Sequence, residues 1–201
     1  IDSMGVLYGY GSREELENAG ADYIAATIED ICGILIENRT DQPNRINAVQ
    51  NIVPDWKNYT PDPKPVKKGT VIRAIYVNHM GLVSDVLTQT YFVGIEPPSR
   101  GLTLSLTFEF DDFFGDNGIY VTGKEYDDWY LSDGAPESMP IANFEQSLEV
   151  VAVAELMDNH SKILSQPVGV RIQGNRSRGE RLKRFILVSR QEYGGSDTFA
   201  Y

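Results

Sequence analysis

The chain has 201 residues, 41% hydrophobic and 23% charged, a size and balance that suit one sizeable globular domain or two small ones. With 29 acidic against 18 basic residues its net charge is −11, which argues against binding nucleic acid or an anionic membrane through the whole surface. No apolar run approaches the ~18 residues of a membrane span, and a single cysteine, Cys32, excludes an intrachain disulfide and a zinc site built on paired thiolates.

Residues 1–37 predict a short strand–helix–strand–helix piece. An apolar strand over 4–8 ends in Gly9-Tyr10-Gly11. Ser12 then opens a helix with Glu15 as its capping-box partner, and Gly20 closes it. Residues 22–26 form a second strand. Thr27 and Asp30 cap a second helix with Ile28, Ile31, Ile34 and Leu35 on its apolar stripe. Two strands and two helices cannot cover a parallel sheet, so the piece resembles the tail of a larger α/β domain.

Residues 38–57 are polar, contain Pro43 and Pro54, and predict a linker. The texture then turns to β. Segments 70–77 and 84–93 predict a hairpin, and Pro97-Pro98 marks a second boundary. Beyond it come a half-buried strand over 102–110, an acidic turn over 111–118, a short strand over 119–122 and a long surface loop over 124–143. Residues 149–157 fit either strand or helix by pattern. A strand is the better choice, because the polar turn 158–162 then pairs it with 163–171. The expected fold class is α+β, mostly β: a βαβα tail piece followed by antiparallel hairpin or sandwich segments.

Several segments carry groups capable of chemistry. The Gly9–Ser12 turn opens a helix after a strand, where phosphates bind in many α/β proteins, but it has neither GxGxxG spacing nor a P-loop lysine. Glu109, Asp111, Asp112, Asp116, Glu125, Asp127 and Asp128 offer oxygen ligands for a hard cation, without EF-hand spacing. Tyr120, Tyr126, Trp129 and Tyr130 offer either a stacking surface for a sugar or base, or the lid of a β core. His79 and His160 sit in polar turns and read as exposed turn residues. Residues 169–185 (GVRIQGNRSRGERLKRF) stand out: seven of the chain's 18 basic residues fall within 171–190. Arg171 lies on a strand, Gly174 permits a tight turn, Asn175 and Ser177 add short polar groups, and Arg178 and Lys183 add charge. Backbone N–H groups of a glycine turn beside such cations suit a phosphate. The competing assignment is a surface hairpin that balances an acidic body.

The string GVRIQGNRSR, followed by Lys183, Phe185 and then EYGGSDTF over 192–199, resembles the signature of the spore coat protein H (CotH) kinase family. The stretch FEFDDFFGDNGIYVTGKEYDDW over 108–129 is similar to the region that leads into it, so the resemblance runs through about 104–201. Upstream, NYTPDPKPVKKGTVIRAIYVNHMGLVSDVLTQTYFVG over 58–94 resembles a chitobiase/β-hexosaminidase C-terminal-type β-sandwich module. Residues 1–37 resemble the final strands and helices of haloacid dehalogenase-like phosphatases, whose catalytic groups precede this point. The implied organisation is a phosphatase-like tail (1–37), a linker (38–57), a partial β module (58–96) and a CotH-like front part with a partial kinase-like β region (97–201).

The CotH resemblance implies an atypical protein kinase that uses ATP and a divalent metal, Mg or Mn, to phosphorylate serine on a partner protein. It maps the nucleotide-phosphate contacts onto Arg171, Gly174, Asn175, Ser177, Arg178 and Lys183, with Lys183 foremost. Metal-holding and base carboxylates are expected beyond Tyr201, so the chain is expected to be inactive alone. Arg176 and Arg184 stand where the family carries small hydroxyl residues. Two alternatives stay open: a non-enzymatic secreted or surface β module for carbohydrate or a protein partner, and a phosphatase remnant. The β part points to the spore coat or exterior, and the N-terminal part to the cytoplasm.

Overall fold

The computed structural model describes all residues except 1–3, 7–11, 19, 22, 28–29, 31–35, 46–47, 76–79, 133–137, 160 and 200–201. Gly9, Gly11, Cys32, His79, His160 and most of the second expected helix therefore lie outside the described residues. Contacts divide the chain into two compact units, Ile1–Asp41 with Lys67–Glu96, and Gln42–Val66 with Pro97–Tyr201. The fold is α+β and mostly β.

In the first unit, β1 (Met4–Val6) and β2 (Tyr23–Ala25) pair in parallel, with α1 (Arg13–Asn18) between them in the chain. Both halves of the expected capping box form: Ser12 N–H donates to the Glu15 carboxylate at 2.7 Å, and Glu15 N–H donates to Ser12 Oγ at 3.2 Å. Leu16 packs so closely on Gly5 that a Cβ there would sit 2.8 Å from its methyls, so the strand needs glycine to meet the helix. A second reciprocal cap joins Thr27 and Asp30, whose carboxylate accepts the N–H groups of Ala26 and Thr27 at 2.8 and 2.9 Å. The expected hairpin is present as β3 (Thr70–Ala74) antiparallel to β4 (Leu87–Tyr91), with Thr70 opposite Tyr91.

The second unit is built on a four-stranded antiparallel sheet in chain order: β5 (Thr103–Thr107), β6 (Val150–Asp158), β7 (Ser161–Gln173) and β8 (Arg184–Val188). The ambiguous 149–157 segment is thus strand. Period-2 alternation sends Ala152 and Ala154 of β6 and Val168, Val170 and Ile172 of β7 into one core with Phe113, Ile119, Tyr126 and Phe144. The long β7 pairs with β6 throughout, but β8 covers only 169–173 of it. Over 161–168, which includes Pro167, β7 has a single partner strand.

Two expectations are corrected. The long loop over 124–143 contains α3 (Lys124–Leu131), and the acidic turn contains α2 (Phe110–Phe114). Tyr126, Trp129 and Tyr130 recur at helical spacing, and Lys124 pairs with Asp128 one turn on at 2.7 Å. Residues 119–122 are turns rather than a strand. Ile119, Val121 and Thr122 are all buried instead of alternating; the N–H groups of Ile119 and Tyr120 donate to the Asp112 and Phe113 carbonyls and that of Thr122 to Asn51, not to a ladder. Residues 42–66, which span the second part of the expected linker, belong with the second unit. The Asn51 carbonyl accepts from Thr122 N–H at 2.8 Å, Asn51 Nδ2 donates to Asp127 at 2.7 Å, and Tyr126 O–H reaches the Pro54 carbonyl at 3.3 Å. Among the described residues no helix is long and apolar enough to cross a membrane.

Gly123 enters α3 at φ +88, and a Cβ there would lie 2.4 Å from the Asn143 amide, which itself donates to the carbonyls of Asp116 and Gly118. Gly194, at φ +80, faces open space. Gly194→Ala should therefore cost only left-handed strain, about 1 kcal/mol. Gly123→Ala adds a clash and should cost about 2–4 kcal/mol. Urea unfolding midpoints of the two variants check the difference.

Candidate functional site

The basic segment occupies the end of β7, a turn and the start of β8. Gly174 turns the chain at φ +126, and its missing Cβ leaves room for Ser177 Oγ, which would lie 2.2 Å from one. A short 3-10 turn, Arg176–Gly179, follows, closed by Arg178 N–H donating to the Asn175 carbonyl at 3.0 Å. Asn175 and Arg176 are exposed, and Ser177 is half-buried. Gly174, Asn175, Ser177, Arg178 and Lys183 thus share the connection from β7 to β8, whereas Arg171 lies within β7 opposite Ile186.

Their charges do not converge on an open site. Lys183 is buried at 7% exposure, and its ammonium donates to three backbone carbonyls: Arg178 at 2.6 Å, Ile52 at 2.7 Å and Glu180 at 3.0 Å. The rings of Phe144 and Tyr120 cover it at 4.0 and 5.0 Å. Burial pushes its pKa down to about 8, with the Glu180 charge acting the other way. Arg178 is also held by the backbone, its Nε donating to the Gly174 carbonyl and its Nη1 to the Glu145 carbonyl, each at 2.7 Å. In this conformation both residues brace the turn, and Lys183 meets a phosphate only by releasing a carbonyl.

Arg171 belongs to a separate cluster around Glu149, a residue that sequence reasoning assigns no role. The Glu149 carboxylate accepts from Arg171 Nε, from Arg190 Nε at 2.8 Å and Nη2 at 3.2 Å, and from Tyr193 O–H at 2.5 Å. Gly169 makes the approach possible, since a Cβ there would fall 2.3 Å from Glu149 Oε1. The Arg190 hydrogen bond, helped by Tyr193 and Arg171 against the opposing effect of burial, holds the carboxyl down at about 2. The hydrogen bond to Glu149 raises Tyr193 to about 12. Glu149 lies 22 residues from Arg171 and 41 from Arg190, so no local pattern announces the cluster.

The cations left on the surface are Arg176, Arg181 and Arg184, all exposed. Among the described residues their guanidinium groups make no hydrogen bond or ion pair. The seven acidic candidates disperse: Asp128 pairs with Lys124, Asp127 holds Asn51 and Thr122, and Asp111 and Asp112 sit in the first turn of α2. Among the described residues no three His, Cys, Asp or Glu side chains gather as a metal-binding group. The four aromatic candidates split into two groups. Trp129 and Tyr130 stack, Tyr126 lies tilted against both and Trp56 meets Tyr130 edge-on, while Tyr120 packs against Phe114 and Phe185. No protein-family model, curated protein or solved structure matches the chain.

Lys183→Met should destabilise the protein by about 3 kcal/mol, because three buried carbonyls lose a charged donor; equilibrium urea unfolding measures it. The pH dependence is equally defined. Folded Glu149 binds its proton more weakly than the unfolded residue, whose ordinary value is 4.5. The stability it supplies is complete above that value and fades as pH falls towards about 2. Over that window the unfolding free energy of the wild type should fall more steeply than that of Glu149→Gln.

Proposed function

We propose that residues 97–201 are the nucleotide-binding part of a protein kinase of the CotH type, taking ATP with Mg or Mn and serving phosphoryl transfer to serine of a partner protein. One observation carries this function beyond the resemblance. The turn after β7 is rigidly braced from inside by Arg178 and Lys183, while Arg176, Arg181 and Arg184 stand exposed on the same segment of a protein whose net charge is −11. A fixed backbone turn with exposed arginines on the same segment suits a polyphosphate, whose oxygens pair with guanidinium groups.

The roles differ from a simple transfer of the family pattern. Arg176, Arg181 and Arg184 contact the phosphates from the surface. Gly174, Asn175 and Ser177 shape the turn, and its first N–H groups stay outside the turn's own hydrogen bonds. Lys183 and Arg178 are positioning residues, and Arg171 acts through Glu149 to fix the end of β7. The metal-holding and base carboxylates that phosphoryl transfer requires are assigned to no residue of this chain.

The engagement of Arg171, Arg178 and Lys183 within the protein favours a second function, a β module without nucleotide binding that attaches to carbohydrate or a protein partner. Thermal unfolding separates the two. ATP with Mg at about a hundred times Kd should raise Tm by about 5–10 °C. Replacing Arg176, Arg181 and Arg184 together by Ala should remove that rise while leaving the unliganded Tm within about 2 °C, as expected for exposed side chains. Wild-type protein unmoved by millimolar ATP with Mg would sink the kinase assignment in favour of the module.

A further inference from the structure

A shallow cleft of about 360 Å³ opens on the second unit, lined by Ala48, Val49, Gln50, Trp56, Asp127 and Leu131. We infer that this cleft binds an uncharged sugar ring of a glycan. Its volume lies at the small end of ordinary ligand sites, roughly 300–1,000 Å³. Trp56, Val49 and Leu131 supply an apolar wall, and the C–H face of a pyranose packs on an indole as other apolar groups do.

The polar groups fit hydroxyls and reject anions. Asp127 is a fixed acceptor, oriented by Asn51 Nδ2 at 2.7 Å and Thr122 Oγ1 at 2.5 Å. Gln50 is exposed beside it and offers both a donor and an acceptor. Asp127 shares its helix with Glu125 and Asp128, so the local potential opposes a phosphate or a sulfate. Trp56 Nε1 is enclosed and has no hydrogen-bond partner among the described residues. Because that nitrogen is shielded from solvent, the indole meets the sugar through its ring and not through its N–H. Tyr130 supports Trp56 edge-on at 5.6 Å and 66°, and Lys57 lies over the Tyr130 ring at 4.4 Å, which fixes the indole in place. Nothing here depends on nucleotide binding.

The two tryptophans of the chain, Trp56 and Trp129, give two indole N–H signals in a heteronuclear NMR spectrum, assigned with Trp129→Phe. Cellotetraose, maltotetraose and a tetramer of N-acetylglucosamine are titrated to about 10 mM, enough to detect a Kd on the order of 1 mM. The Trp56 signal should move with at least one of them, and the affinity should fall about tenfold in Gln50→Ala, whose side chain is exposed and free to change without unfolding the protein. An unmoved Trp56 signal with all three sugars overturns the proposal. So does a Trp56 signal moved by ATP with Mg and not by sugar, which would give the cleft to a nucleotide. A sugar-induced shift that survives unchanged in Gln50→Ala also overturns this site.

Discussion

The second unit depends on one buried ammonium. Lys183 ties three carbonyls from two distant parts of the chain: Ile52, from the segment before the sheet, and Arg178 and Glu180, from the turn that joins β7 to β8. Carbonyl oxygens that converge without a donor repel one another and are costly to bury. The lysine removes both problems, and the rings of Phe144 and Tyr120 keep water from competing for its protons. Tyr120 O–H extends the arrangement by donating to the Arg181 carbonyl at 2.9 Å. The path of residues 48–58 and the shape of the basic turn are thus set by the same point charge.

A second charge performs the complementary task at the other end of β8. Glu149 gathers Arg171, Arg190 and Tyr193 around one carboxylate at 11% exposure. Together the two centres use four of the seven clustered basic residues for architecture, counting Lys183 and Arg178 in one and Arg171 and Arg190 in the other. A stretch that looks on paper like a continuous cationic strip is therefore two internal anchors with three surface arginines between and beside them. Cation count overstates the charge that such a segment offers a ligand, because each internal partner removes one donor from the surface.

Features fixed by short-range chemistry were readable in the sequence. The Ser12–Glu15 box, the Gly20 stop, the β3–β4 pair and the β6–β7 pair all follow from residues within a few positions of one another. The α3 helix was masked because its aromatic residues suggest a surface when they are counted, and a helix only when their spacing is. Residues 119–122 differ for another reason: the N–H groups of Ile119, Tyr120 and Thr122 go to the carbonyls of Asp112, Phe113 and Asn51, which a strand pattern cannot anticipate. The turn at Gly174 was legible because a positive φ demands glycine. The fate of Lys183 was not, since its acceptor at Ile52 lies 131 residues away and is a backbone atom without side-chain identity.

The uneven length of β7 has a further effect. Its stretch over 161–165 has β6 on one side and no β8 on the other, an edge of the kind that can recruit a second chain. Beyond it the segment after β8 lies alongside: Gln166 Nε2 donates to Ser189 Oγ at 2.7 Å, and Gly195 packs against the Pro167 carbonyl. Pro167, which has no N–H to give a ladder, falls where this segment and not a strand lies beside β7. Near the hairpin end Lys162 pairs its charge with the buried Glu155 of β6, at 3.4 Å. The proline thus sits where β7 exchanges an uncovered edge for one sealed by the chain that follows β8, and it costs the sheet no partner strand there.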